Sequence, residues 1–333
     1  DVQTLKNSYP AMKTFLAGVQ RMSSFMSAGQ RKYIWSRGYS YGDWCAPYEV
    51  ARQWMGKKKW VSTAYFANSS KIASKTAKVL GNNTEAKQYS EISKKVTDAY
   101  RNVFTDKNGK LRREFQTAYV CPLYFGMTEN EETKAYAKNL VRLVEKADNH
   151  LSTGFLGTPF LLFALADNGY ADKAYEVLMQ TTFPSWLYEV KAGATTIWER
   201  WDALRPDGTV NLGEMVNEDS ENVGGMGSFN HYANGAVGDF LYRRTAGIEA
   251  TEPGYSKFRI APIPGGGLTY VKCRKHINTG DIVSEWTQNG KHFELKVNVP
   301  FNTTAEIILP DKETFTVSSG DYIFKCEIAG FIC

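Results

Sequence analysis

The chain has 333 residues and a formal net charge of +5, with 43% hydrophobic and 14% aromatic residues. That length accommodates one large domain and a smaller one, and no apolar run approaches the roughly 18 residues needed to span a bilayer. The lysines are scattered through segments such as KIASKTAKVL, and KKK at 57–59 is the longest basic run, so they read as solvated faces and exclude a nucleic-acid footprint.

From residue 9 to about 180 the pattern is helical. Tyr9, Met12, Phe15, Leu16, Val19, Met22, Phe25 and Met26 recur at helical spacing. So do Ala86, Tyr89, Ile92, Val96, Ala99 and Val103, and later Tyr136, Leu140, Leu143, Val144 and Ala147. Loops such as LGNNTE and TDKNG punctuate these segments, with Asn83 or Thr84 placed to cap the helix after Gly81. Pro159 stands where a first helical turn would begin, and Gly169 where that helix would stop. The spacing predicts a succession of antiparallel helix pairs.

The grammar changes after AVGDFLYRRTAG. From about residue 249 short β-branched runs appear, among them LTYVKCRKHI, DIVSEWTQ and HFELKVNV, bounded by PIPGGG, NTGD, QNGK and SSGD. QNGK between two alternating runs is a hairpin signal. The chain therefore divides into a helical domain, 1–248, and an antiparallel β-sandwich, 249–333, with the boundary near 247–252.

The five cysteines (Cys45, Cys121, Cys273, Cys326, Cys333) show no CxxC spacing, and one must stay unpaired in a monomer. Cys273 and Cys326 either bridge or remain free thiols. The usage is compatible with either periplasm or cytoplasm. The four histidines are dispersed, so no metal site is expected. No P-loop, GxGxxG or nucleophile elbow occurs, and no cofactor is expected. The chain begins at Asp1 with neither Met nor signal-peptide pattern, as in a processed or truncated product.

Four stretches break helical grammar with Gly, Trp and acids: SRGYSYGDWCAP (36–47), HLSTGFLGTP (150–159), 193–225, and MGSFNHYANGAVGDF (226–240). They fall in loops or at helix ends, where a toroid of helix pairs gathers a site. Glu199, set between Trp198 and Trp201, is the candidate catalytic carboxylate, since aromatic faces desolvate a glutamate and tune it as an acid or base. The plainer reading is a surface carboxylate paired with Arg200 or Arg205. Trp198 and Trp201 either stack on a sugar face or pack in the core. Asp43 either binds sugar hydroxyls, with Trp44 as a platform, or is a helix-capping Asp before CAPYEV. His231 either donates to a hydroxyl or is a buried, satisfied side chain. Glu214, Glu218, Asp219 and Glu221 lack calcium-loop spacing and read as a solvated lid.

Together, YGDWCAP, GFLGTPFLLFAL, GATTIWERWDAL, SFNHYANGAVGDFLYRRTAGI and PGYSKFRIAPIPGGGLTYVK resemble the bacterial α-L-rhamnosidases of glycoside hydrolase family 78. The resemblance runs from about residue 30 to the C-terminus. It implies an (α/α)6 toroid followed by a C-terminal β-sandwich, and inverting hydrolysis of terminal α-L-rhamnosides. Carried over, Glu199 is similar to the family's general base, His231 to its rhamnose-contacting histidine, Trp44 and Trp201 to aromatic pocket walls, and Asp43 to a pocket carboxylate.

The family's general acid belongs to a block of the type DCPxRxERxGWxGD, which has no counterpart here. The resemblance thus implies a C-terminal portion of a longer enzyme, inactive alone, with a toroid incomplete at its N-terminal side and an exposed apolar flank. Two further readings stand beside it: another helical-toroid carbohydrate enzyme (uronyl hydrolase or polysaccharide lyase), and a non-catalytic carbohydrate-binding protein. The expected partner in all three is a carbohydrate.

Overall fold

The computed structural model describes residues 1–211 and 227–328. The acidic cluster Glu214–Glu218–Asp219–Glu221 and Cys333 lie outside the described residues. The chain forms two compact units, Asp1–Asn234 and Gly235–Cys333.

The first unit is helical. Its elements are α1 (Val2–Ser24), α2 (Ala51–Gly56), α3 (Lys58–Val79), α4 (Asn83–Phe104), α5 (Gln116–Phe125), α6 (Asn130–Lys146), α7 (Thr158–Ala166), α8 (Ala171–Leu178) and α9 (Trp186–Lys191). The pairs α3–α4, α5–α6 and α7–α8 are packed together and joined by the short loops 80–82, 126–129 and 167–170. Such short connections return the chain alongside itself and make helical hairpins.

Asp1 caps α1 by accepting the N–H groups of Gln3 (2.8 Å) and Thr4 (3.2 Å). Asn82, one residue before the expected cap, accepts Glu85 N–H at 3.1 Å and starts α4. Pro159 does stand in the first turn of α7. Buried faces follow the helical spacing, as with Val96, Ala99 and Tyr100 on α4 and Tyr136, Leu140 and Val144 on α6. On α1 only part of the apolar stripe is covered. Tyr9, Leu16 and Val19 are buried, whereas Phe15, Met22, Phe25 and Met26 are exposed.

The second unit begins with α10 (Val237–Phe240) and a single π turn (Leu241–Thr245), then continues as strands. One sheet has the order β1 (Ile248–Ala250), β2 (Lys257–Ile260), β6 (Thr304–Ile308), β7 (Thr314–Val317). The other has the order β3 (Tyr270–Ile277), β4 (Gly280–Asn289), β5 (His292–Val299), β8 (Gly320–Glu327). The second sheet is antiparallel throughout. In the first, β2 and β6 run parallel, a departure from the all-antiparallel expectation. The chain passes through β3, β4 and β5 between them, which supplies the long crossover a parallel pair requires.

Alternate residues of both sheets meet in one core, with Ile248, Phe258, Ile260 and Ile307 from one side and Ile282, Trp286, Leu295 and Val297 from the other. The β4–β5 hairpin turns at Gly290 (φ 57°), as QNGK predicts.

Cys273 and Cys326 are both free thiols. They sit on β3 and β8, the two edges of one sheet. Three strand spacings of about 4.8 Å separate those edges, whereas a disulfide needs Cα atoms within about 7 Å. Among the described residues, no helix is long and apolar enough to cross a membrane.

Candidate active site

A cleft of about 1130 Å³ opens in the helical unit. It is lined by loop 39–51 (including Tyr39, Tyr41, Trp44 and Glu49), by Phe155, by Tyr65 of α3, and by Glu199, Arg200 and Asp202.

One wall depends on a buried junction. Asp43 is fully buried and accepts four hydrogen bonds, from the Thr117 hydroxyl and from the N–H groups of Gly154 (2.8 Å), Leu156 (3.1 Å) and Gly157 (3.2 Å). Phe155 N–H donates to Trp44 O at 2.9 Å, closing the same junction from the other strand. Burial raises the Asp43 pKa, opposed by the Gly154 and Thr117 donors and by Lys57. Only glycine fits where these backbones touch. A Cβ at Gly154 would meet Trp44 O at 2.2 Å, and one at Gly42, where φ is +70°, would meet Trp54 O at 2.0 Å.

The opposite wall is the irregular segment after α9. Glu199 N–H donates to Ser228 O (2.9 Å) and His231 N–H to Ile197 O (2.8 Å), so the chain around Glu199 is clamped between two backbone bonds. Asn234, itself buried, donates to the carbonyls of Trp198 (3.3 Å) and Glu199 (3.4 Å). This leaves Glu199 half-buried with its side chain on the cleft. The turn that follows keeps Arg200 and Asp202 on the same side. Arg200 grips Asp202 at two points, Nε to Oδ1 (2.9 Å) and Nη2 to Oδ2 (3.3 Å), and Asn211 Nδ2 donates to Oδ2 at 2.8 Å. The Arg200 guanidinium also lies 5.8 Å over the Trp54 ring.

The cleft thus brings together Glu199 and Trp44 among the expected residues. Trp198 and Trp201 are a correction. Both are buried away from the cleft, Trp201 edge-on to Trp186 (5.3 Å) and Trp198 edge-on to Phe229 (5.3 Å). The backbone bonds to Ser228 O and from His231 N–H, with the Asn234 amide on the Trp198 and Glu199 carbonyls, hold the segment with Glu199 at the cleft and Trp198 in the core. Arg200 and Arg205 were alternative partners for Glu199, but Arg200 is committed to Asp202. Asp43 is corrected too. It is fully buried behind the cleft wall rather than in its lining, and it caps no helix, since α2 starts at Ala51 without it. It instead holds the amides just ahead of α7.

His231 stands beside the cleft rather than in its lining, stacked at 5.0 Å on Phe155, which does line it. Its Nδ1 accepts Ala233 N–H at 3.3 Å, which leaves Nε2 to carry the proton of the neutral ring and act as a donor.

Sequence reasoning missed Asp202, Glu49, Trp54 and the Tyr39–Tyr41 pair as cleft residues. Glu49 pairs with the buried Lys57, whose Nζ lies 4.8 Å over the Phe115 ring, while the second Glu49 oxygen is buried without a partner among the described residues. No periodicity marks these residues. The available signal was the density of aromatics in YSYGDW. Cys45 also touches the cleft, where burial pushes its thiol up to about 12, far from a reactive thiolate.

Residues 1–245 match the family model of the bacterial alpha-L-rhamnosidase 6 hairpin glycosidase domain, and 247–324 match that of the bacterial alpha-L-rhamnosidase C-terminal domain. An alpha-L-rhamnosidase of Streptomyces avermitilis is 39% identical over 270 residues, covering 81% of this chain and 24% of that protein. One from Formosa agariphila is 36% identical, covering 98% of this chain and 35% of that protein. The chain therefore spans about a quarter to a third of the length of these curated relatives. The crystal structure of the Streptomyces avermitilis alpha-L-rhamnosidase complexed with L-rhamnose superposes with a TM-score of 0.86 at 34% identity, covering 98% of this chain and 31% of that one. The alpha-L-rhamnosidase of Aspergillus terreus gives 0.87 at 31% identity, covering 98% and 36%.

Proposed function

Since the chain belongs to the bacterial α-L-rhamnosidase family, with its six-hairpin domain and C-terminal β domain, we propose that its cleft serves the hydrolysis of terminal α-L-rhamnosides with inversion, Glu199 acting as the general base. The observation that carries this reading is the presentation of Glu199. Its backbone is clamped on both sides, its side chain is half-buried on the cleft, and no cation among the described residues pairs with it.

In this mechanism Glu199 takes a proton from a water as that water attacks the anomeric carbon on the face opposite the leaving oxygen. A second carboxyl, roughly 6.5–9.5 Å from the base, protonates the leaving oxygen. The other carboxylates of the cleft are poorly suited to that second part. Asp202 is gripped by Arg200 and Asn211, and Glu49 is paired with Lys57. The resemblance assigns that acid to a block with no counterpart in this sequence. Trp44 offers its face to the apolar side of the sugar, and His231 Nε2–H donates to a hydroxyl. Asp43 acts indirectly, by fixing the junction beneath Trp44.

Glu199→Gln in the full-length protein tests the assignment, because it preserves shape and removes the base. Proton transfer of this kind contributes about 10²–10⁴-fold, so turnover of an aryl α-L-rhamnoside should fall at least about 100-fold with far less change in binding. An undiminished rate in the variant would sink the assignment. An absence of rhamnosidase activity in the wild-type full-length protein would sink the function.

A further inference from the structure

Building on the rhamnoside reading, we propose that Tyr39 and Tyr41, continued by Trp44, form a leaving-group platform that selects a planar aromatic aglycone over a saccharide one. The three rings and Trp54 make a continuous ladder. Tyr39 meets Tyr41 at 4.9 Å, Tyr41 meets Trp44 at 4.8 Å, and Trp44 meets Trp54 at 4.9 Å, each edge-to-face. At its inner end the Arg200 guanidinium covers Trp54, one residue from Glu199. The ladder therefore leads from the solvent rim to the reacting end of the cleft.

Its outer rungs are exposed although they line a concave surface, Tyr39 by 66% and Tyr41 by 53%. Uncovered aromatic area inside a cleft is the mark of a ligand surface.

The chemistry of the ligand follows from what the rim cannot offer. Part of its polar surface is committed within the protein. Ser40 Oγ is engaged by Ser62 Oγ (2.9 Å) and Gly42 N–H (3.3 Å). Across the cleft mouth the Tyr48 hydroxyl donates to Phe183 O at 3.3 Å. A saccharide in this position would lose several water hydrogen bonds and regain few. A flat ring loses none and gains edge-to-face or offset contacts with the tyrosines. The charged floor around Glu199, Arg200 and Asp202 suits the sugar, and the rim suits a phenolic leaving group.

Calorimetric titration of the protein with methyl α-L-rhamnoside, a rhamnosyl-glucose disaccharide, 4-nitrophenyl α-L-rhamnoside and 4-nitrophenyl α-D-glucoside tests this. The nitrophenyl rhamnoside should bind about tenfold more tightly than either non-aromatic rhamnoside. In the double variant Tyr39→Ala/Tyr41→Ala that ratio should collapse toward one, whereas Tyr41→Phe, which keeps the ring, should preserve most of it. Circular dichroism of the variants should match the wild type, since both positions are exposed.

Equal binding of the nitrophenyl and disaccharide rhamnosides overturns the platform, as does a ratio that survives the double variant, or failure of any nitrophenyl glycoside to bind. If both nitrophenyl glycosides bind alike and lose affinity in the double variant, the platform stands and the rhamnose assignment falls.

Discussion

Glu189 Oε2 accepts the backbone N–H of Trp198 at 3.3 Å, while Oε1 of the same buried carboxyl has no partner among the described residues. A carboxylate so placed lacks solvation, and burial raises its pKa from 4.5 to about 8, only partly countered by the Trp198 amide. Below pH 4.5 both folded and unfolded chains carry the proton and Glu189 does not affect stability. Between 4.5 and 8 the unfolded chain releases a proton that the folded chain keeps, so stability falls by about 1.4 kcal/mol per pH unit. Above 8 both forms are ionised and the loss is complete. Glu189→Gln cannot ionise, so urea midpoints measured from pH 5 to 9 should decline less steeply in the variant. Parallel profiles would contradict the assignment.

Asp43→Ala removes the acceptor for four donors and leaves them buried. An unsatisfied buried donor costs on the order of 1–3 kcal/mol, so the variant should lose at least about 3 kcal/mol in chemical denaturation. A residue that contacted only substrate would instead weaken binding and leave the unfolding midpoint unchanged.

Arg200→Lys keeps the charge but forfeits the two-point grip on Asp202 and the planar contact with Trp54. The expected cost is about 1 kcal/mol of stability and a measurable loss of rhamnoside affinity, because both partners line the cleft. Retention of wild-type affinity would show that the Asp202 carboxylate holds its place without the guanidinium.

Azide provides a chemical control on Glu199. In the full-length Glu199→Gln variant the small anion takes the place of water and needs no base, so azide should restore turnover of an aryl α-L-rhamnoside. Attack from the face opposite the leaving group delivers the β-configured glycosyl azide. Proton NMR of the product distinguishes it from the α anomer, whose appearance would contradict inversion.

The fold was largely readable from periodicity. Apolar spacing of three and four residues marks α4 and α6, and alternation with QNGK marks the β4–β5 hairpin, because local geometry alone sets those patterns. The α1 stripe was readable as a helix from spacing, and its exposed part only as the exposed apolar flank that the resemblance implies, since spacing says nothing about what covers a face. The site was legible in Glu199 and Trp44 and misread at their neighbours. Segment 193–211 has no period. Which of Trp198, Glu199 and Trp201 faces the cleft is decided by bonds to Ser228 and from His231, some thirty residues downstream. Asp43 looked like a local cap because the four donors that claim it come from 117 and 154–157.

That distant claim on Asp43 also bears on how the protein matures. Bonds spanning 111 to 114 residues of chain join the two loops beneath Trp44. Such contacts cannot form until the intervening hairpins α3–α4 and α5–α6 have condensed, and closing so long a loop is slow compared with helix formation. During synthesis the helices should then form before the pocket does. Ligand affinity should then appear late and all at once in refolding, trailing the recovery of helical signal, so an arrested or nicked chain would be well structured yet blind to its sugar.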